Sequence, residues 1–152
     1  MSELTFAWER VSDVYAEGID KLVKEHEQEV ELGDIPFVIN WELLDALERQ
    51  GHYGVLIARR DGNIVGYVVV SMQKPVTNST TTVASVESIC VAGTEKNRAR
   101  TWFRILKECL DMLPKDVKVF VRIKPKQGDI IGKILEKKFG LTRQELIYGN
   151  IL

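Results

Sequence analysis

The stretch Val86–Leu106 reads VESICVAGTEKNRARTWFRIL. It begins inside a run from Thr81 to Val91 that is rich in β-branched residues, the composition of a strand. Gly93 to Arg100 is polar and basic. Trp102, Phe103, Leu106, Leu110 and Leu113 then recur at helical spacing, and Pro114 closes the helix. Beyond it, Val117, Val119, Val121 and Ile123 alternate as another strand. Strand, helix and strand in that order form a crossover, so the two strands are expected to lie parallel with a right-handed connection.

Upstream, Tyr53 to Arg60 and Asn63 to Met72 read as two strands. Asp61-Gly62 between them is the chain's strongest hairpin signal, because both residues tolerate positive φ. Pro75 to Thr80 forms a second turn, and Asn78-Ser79-Thr80 matches a glycosylation sequon that reads better as a polar turn. Leu4, Phe6 and Trp8 alternate as a short first strand. Val14, Tyr15, Ile19, Leu22, Val23, His26 and Val30 then make one face of a long helix after Ser12, ending near Gly33. Asn40 caps a second helix over Trp41 to Gln50. Downstream, Asp129 caps a last helix carrying Ile130, Ile131, Ile134, Leu135 and Phe139. Gly140 ends it, and Arg143 to Leu152 is expected to be a final strand. The order is β, two helices, three antiparallel strands, helix, strand, helix, strand. It predicts an α/β (α+β) fold with a central mixed sheet flanked by helices on both faces.

Composition excludes several classes. At 152 residues the chain is expected to be a single domain over residues 1–152. A formal charge of −1 gives no basic excess for nucleic acid. No apolar run approaches the ~20 residues needed to span a bilayer, and MSELTFAWER has no signal-peptide pattern. Cys90 and Cys109 lack metal-ligand or redox spacing, so no metal is expected and both read as buried thiols of a reduced, cytoplasmic compartment.

This order resembles the GNAT (GCN5-related) N-acetyltransferase superfamily over nearly the whole chain. Three stretches carry the likeness: ARRDGNIVGYVVV (Ala58–Val70), the stretch quoted first (Val86–Leu106), and VRIKPKQGDIIGKILEKKFGL (Val121–Leu141). With HEQE at His26–Glu29, the chain is most similar to small GNAT-like proteins encoded by bacteriophages, which would place it in a host cytoplasm or a virion. The resemblance implies acetyl-CoA as co-substrate, bound where two central parallel strands splay. Pantetheine would pair with backbone at Ile89, Cys90 and Val91. The pyrophosphate would rest on the helix start formed by Lys96, Asn97, Arg98, Ala99, Arg100 and Thr101. Independently of the family, a helix N-terminus offers unpaired amides and partial positive charge to an anion.

The chain departs from the family pattern in two places. Lys96, Ala99 and Thr101 stand where the loop has Arg or Gln, Gly, and Gly or Ala, and Trp102 follows directly. In the last helix, Asp129, Gly132 and Glu136 replace the family's Asn, Ala and Tyr, so the tyrosine that protonates the leaving thiolate is missing there. Glu136 would need burial to serve instead.

Acyl transfer to an amine needs a base, an oxyanion donor and an acid. Glu87, on the strand entering the loop, is the base candidate, with a surface carboxylate as the plain alternative. The Val91 N–H is the oxyanion donor that the resemblance implies. Tyr148 is the candidate acid, and Tyr53 is a second. His26 reads first as a hydrogen-bonded core histidine. Its functional reading is that, with Glu29 one turn on, it lines an acceptor cleft. The sequence therefore supports two functions: an acetyl-CoA-dependent N-acyltransferase acting on a primary amine of a small molecule or protein, with a homodimer among the expected assemblies, or a catalytically inactive GNAT-fold binding or structural protein, phage-encoded and attached to a virion or a host factor. The missing glycines and tyrosine favour the second, and fold alone does not decide.

Overall fold

The computed structural model describes residues 2–27, 38–78, 80–123 and 128–144. The chain divides into two compact units, Met1–Arg122 and Ile123–Leu152.

The first unit holds one five-stranded sheet in the order β1-β2-β3-β4-β5: β1 (Leu4–Glu9), β2 (Tyr53–Arg60), β3 (Asn63–Gln73), β4 (Val83–Val91) and β5 (Lys118–Val121). The first four strands pair antiparallel and β5 joins β4 in parallel, so the sheet is mixed as the crossover required. Asp61 and Gly62 have φ of 53° and 80°, both in the left-handed region that a two-residue hairpin loop needs.

The helical stripe from Val14 to His26 forms two helices rather than one. Helix α1 (Val11–Glu17) stops at Gly18, whose φ of 101° no other residue takes easily, and α2 (Asp20–Glu27) starts anew. The start of α1 is satisfied from a distance: the Val11 N–H donates to both Glu48 carboxylate oxygens, at 3.1 and 3.2 Å. Glu48 belongs to α3 (Trp41–Arg49), where Asn40 caps the first turn by accepting from the Leu43 N–H.

Alternation along the strands assigns the two faces. Val55, Ile57, Tyr67 and Cys90 pack with Val11, Val14, Ile19, Leu22, Val23 and Leu44 from α1–α3. The opposite face carries α4 (Arg98–Met112), whose Thr101, Ile105, Leu106 and Cys109 are buried. Gly66 lets α4 approach: a Cβ there would lie 2.6 Å from Ile105 Cδ1 and 2.7 Å from the Cys90 carbonyl oxygen. Both cysteines are buried and outside any disulfide, and burial pushes the Cys109 thiol up to about 12.

The second unit contains α5 (Gly128–Phe139), closed by Gly140 at φ 65° with the Leu141 N–H donating to the Leu135 carbonyl. Residues 145–152 of the expected final strand, Tyr148 among them, lie outside the described residues, as does Glu29. Arg143 and Gln144 are described and are not in a strand. No described helix is long and apolar enough to cross a membrane.

Candidate functional site

The register of β4 changes at Glu87. Val69 of β3 faces Ser88 and Val70 faces Val86, so Glu87 is one residue more than β3 can match. This is a β-bulge, which interrupts the ladder and re-aims side chains. Val86 lies on the α4 side and Cys90 on the α1–α3 side. The extra residue puts the polar neighbours Glu87 and Ser88 on the same side as Cys90 and Ser71.

The parallel pairing with β5 ends at the same place. Its register runs from Val83↔Lys118 to Val86↔Val121, and the last bond is the Arg122 N–H donating to the Val86 carbonyl. Strand β4 continues to Val91 paired only with β3 among the described residues. The Ala92 N–H donates to the Val65 carbonyl. By antiparallel alternation, Cys90 bonds to β3 while Ile89 and Val91 turn their backbone groups the other way, toward the opening. The Arg98 guanidinium donates to the Val91 carbonyl at 3.0 Å, in agreement with that orientation.

The opening leads to the start of α4. Asn97 is the cap, and its carboxamide oxygen accepts from the Arg100 N–H at 3.0 Å. The first helical bond is from the Thr101 N–H to the Asn97 carbonyl, so the amides of Arg98 and Ala99 have no acceptor within the helix. Lys96, Asn97, Arg98, Ala99 and Arg100 are exposed. Thr101 is buried and donates its hydroxyl to Glu95 Oε1 at 3.1 Å. Arg60 grips the same carboxylate with two bonds, at 2.9 and 3.2 Å, and also donates to the Ser2 carbonyl. Arg60 holds the Glu95 carboxyl below its ordinary value; burial opposes this and Thr101 supports it. These bonds tie the loop to the end of β2.

Glu87 has three polar neighbours. The Ser71 hydroxyl donates to Oε1 at 2.7 Å, and the Arg122 guanidinium stands 3.8 Å from Oε2. Tyr53, paired directly opposite Ser71, has its phenol pushed up first by burial and next by the Glu87 charge, with Arg122 opposing. Tyr53 therefore keeps its proton at neutral pH. His26 takes its core reading: buried on α2, its Nδ1 lies 2.8 Å from the Tyr67 hydroxyl. Burial, with Cys90 adding, keeps the Tyr67 phenol protonated, although Ser88 pulls the other way. The buried Ser88 Oγ is near enough to act on Tyr67 but has no partner at hydrogen-bond distance among the described residues.

The structure thus brings together Glu87, Ile89, Cys90, Val91 and the loop from Lys96 to Thr101, all within the first unit. Cys90 turns its side chain into the core. Glu136 is exposed, so it lacks the burial that an acid role would require. Ser71, Arg122, Arg60 and Glu95 were not candidates from sequence. A polar serine inside an otherwise apolar β3 was the one signal available for Ser71. An apolar hollow lined by Trp8, Tyr53, Gly54, Met72, Met112 and Pro114 lies at the other end of α4; of the residues around Glu87 it shares Tyr53.

This geometry tests whether acetyl-CoA suits the residues present. The outward backbone groups of Ile89 and Val91 can pair with an amide-bearing chain such as pantetheine. The amides of Arg98 and Ala99, with Lys96 and Arg100 beside them, can meet phosphate. The Glu95 charge is neutralised by Arg60, so it does not cancel that field. The residues fit the group.

No protein-family model matches the sequence, and no curated protein matches it. Solved structures do match the fold. An aminoglycoside acetyltransferase from an uncultured soil metagenomic sample, in complex with sisomicin, is similar at 15% identity over 98% of this chain and 96% of that one, with a TM-score of 0.66. A ribosomal-protein-alanine N-acetyltransferase from Brucella melitensis biovar Abortus 2308 is similar at 19% identity over 99% of each chain, with a TM-score of 0.63. Glucosamine-6-phosphate N-acetyltransferase from Arabidopsis thaliana is similar at 12% identity over 98% of each, with a TM-score of 0.60. The fold is that of the GNAT acyltransferases.

Proposed function

We propose that a protein with this fold and this opening is an N-acyltransferase that moves the acetyl group of acetyl-CoA to a primary amine of a small molecule or protein. One observation carries the reading: β4 loses β5 as a partner at Val86, at the bulge that presents Glu87, and the freed edge runs straight into the start of α4. The structural neighbours named above act on amines, which supports the class of acceptor.

Acetyl-CoA supplies an activated acyl group. This chain's residues would hold and serve it. Ile89 would pair with the pantetheine arm, leaving the Val91 N–H for the thioester, and Lys96, Arg98, Ala99 and Arg100 would receive the phosphates. Glu87 takes a proton from the acceptor's ammonium nitrogen. The Val91 N–H steadies negative charge on the thioester oxygen as the nitrogen attacks. The Tyr53 hydroxyl would give its proton to the departing sulfur and recover the second proton that the nitrogen sheds as the amide forms, a role for which Tyr148 is the alternative. His26, buried against Tyr67, would shape the acceptor side from behind.

A second reading, a binding protein without chemistry, draws on Ala99 and Thr101 in a loop that favours glycine in the GNAT family. Melting curves with and without millimolar acetyl-CoA separate the two. Ligand at 100 times its dissociation constant adds about 2.7 kcal/mol, roughly 5 to 11 °C for a chain of this size. Glu87→Gln is expected to keep that shift and lose transfer. Absence of any shift favours the binding-protein reading, and retained transfer removes Glu87 from its role.

A further inference from the structure

Among the described residues, Glu87 takes its hydrogen bond from the β3 side, across from β5 and the opening, and meets only a distant cation on the other. Ser71 is 3% exposed and lies on β3, between Tyr53 on one neighbouring strand and Ser85 on the other. Its hydroxyl donates to Oε1 at 2.7 Å, the ordinary length of an O–H···O hydrogen bond. An ionised carboxylate only accepts, so the serine proton points at Oε1. The other oxygen, Oε2, is directed toward the β5 side, where the guanidinium of Arg122 stands at 3.8 Å. The Arg122 side chain is 58% exposed and that of Glu87 27%, so this cation sits at the mouth of the site and yields easily to another. A bulged residue lacks the ladder bonds that fix ordinary strand positions. Glu87 therefore depends on its side-chain partner to keep one orientation.

Resting on the acyltransferase reading above, we propose that Ser71 is a positioning residue for the transfer: its hydroxyl fixes Oε1 and leaves Oε2 as the one oxygen that meets the acceptor's ammonium. Arg122 marks where that ammonium arrives, and the acceptor takes its place beside Oε2. In the reaction Oε2 gains the proton that the nitrogen loses, and Arg122 gives up only its place beside the carboxylate.

The test uses the full chain with Ser71→Ala and Ser71→Thr. Its first arm needs no substrate. Couplings of the Glu87 β-methylene protons in solution show whether χ1 stays in one rotamer well. A single rotamer is expected in the wild type and in Ser71→Thr, with averaging in Ser71→Ala. Unchanged couplings in Ser71→Ala overturn the proposal. The second arm measures transfer from acetyl-CoA to spermidine and to Nα-acetyl-lysine amide. Ser71→Ala should lower kcat by roughly tenfold or more, as loss of alignment does, with KM for acetyl-CoA within about twofold of the wild type, and Ser71→Thr should restore most of it. Equal kcat in Ser71→Ala and wild type overturns the proposal. If the wild type acetylates neither probe, the failure counts against the acyltransferase reading, and the couplings alone decide whether Ser71 fixes Glu87.

Discussion

Replacing Gly66 by alanine strikes the point where β3, β4 and α4 meet. The added methyl would sit 2.6 Å from Ile105 Cδ1 and 2.7 Å from the Cys90 carbonyl oxygen. The first contact is with the end of a flexible side chain, and a rotamer change relieves it. The second is with backbone, about 0.7 Å inside the lower limit of ordinary contact at 3.4 Å. Cys90 moves only if β4 shifts against β3, whose pairing runs from Gly66↔Val91 through Val68↔Ile89 in the same stretch. Overpacking of this kind costs about 2–3 kcal/mol, so Tm should fall by roughly 5 to 10 °C. Thermal unfolding followed by circular dichroism measures it. Gly132→Ala, where a Cβ meets nothing within 4 Å, is the control and should leave Tm unchanged or slightly raised. A Gly66→Ala melting point within about 2 °C of the wild type would refute the argument that this glycine sets the approach of the layers. The same variant should weaken stabilisation by acetyl-CoA, because the displaced strand carries Ile89 and Val91.

Asn97→Ala removes the carboxamide that accepts from the Arg100 N–H and should cost about 1 kcal/mol, read as a fall in the urea midpoint that Asn97→Asp largely reverses. Glu95 carries an acid-sensitive tie. Its folded carboxyl lies below the ordinary value, so its contribution is complete above the unfolded pKa of about 4.3 and is lost as pH drops through the lower folded value. Urea midpoints from pH 7 to pH 3 should therefore fall less steeply for Glu95→Gln than for the wild type, and parallel curves would show that the ion pair contributes nothing.

Local chemistry made much of the fold legible. Asp61-Gly62 announced its turn because few residues accept two consecutive positive φ values, and that turn fixed β2 and β3 to within a residue. The break at Gly18 was hidden because the apolar stripe continues across it from Val14 and Tyr15 to Leu22 and His26, and periodicity carries no mark of a change in axis. The cap of α1 was beyond reach for another reason: Glu48 is 37 positions away, and only packing brings it to Val11. Around the site, Glu87 and the loop to Thr101 could be picked out because a charge in a strand and a basic helix start are local signals. Ser71 and Arg122 could not, since each meets Glu87 only through the register of neighbouring strands. The bulge did leave a trace. Two consecutive polar residues, Glu87 and Ser88, break the alternation between Val86 and Ile89, and an unbulged strand would have turned one of them toward α4.

Among the described residues, strand β4 is an interior strand as far as Val86 and a border strand from there to Val91. A border with unsatisfied amides invites any passing extended chain to zip onto it. The protein guards this half-border in three ways: the kink at Glu87 spoils a straight template, the guanidinium of Arg98 covers the Val91 carbonyl, and Lys96 and Arg100 surround the exit with charge. The same feature that would admit a small partner therefore has to be built so that a second polypeptide is turned away.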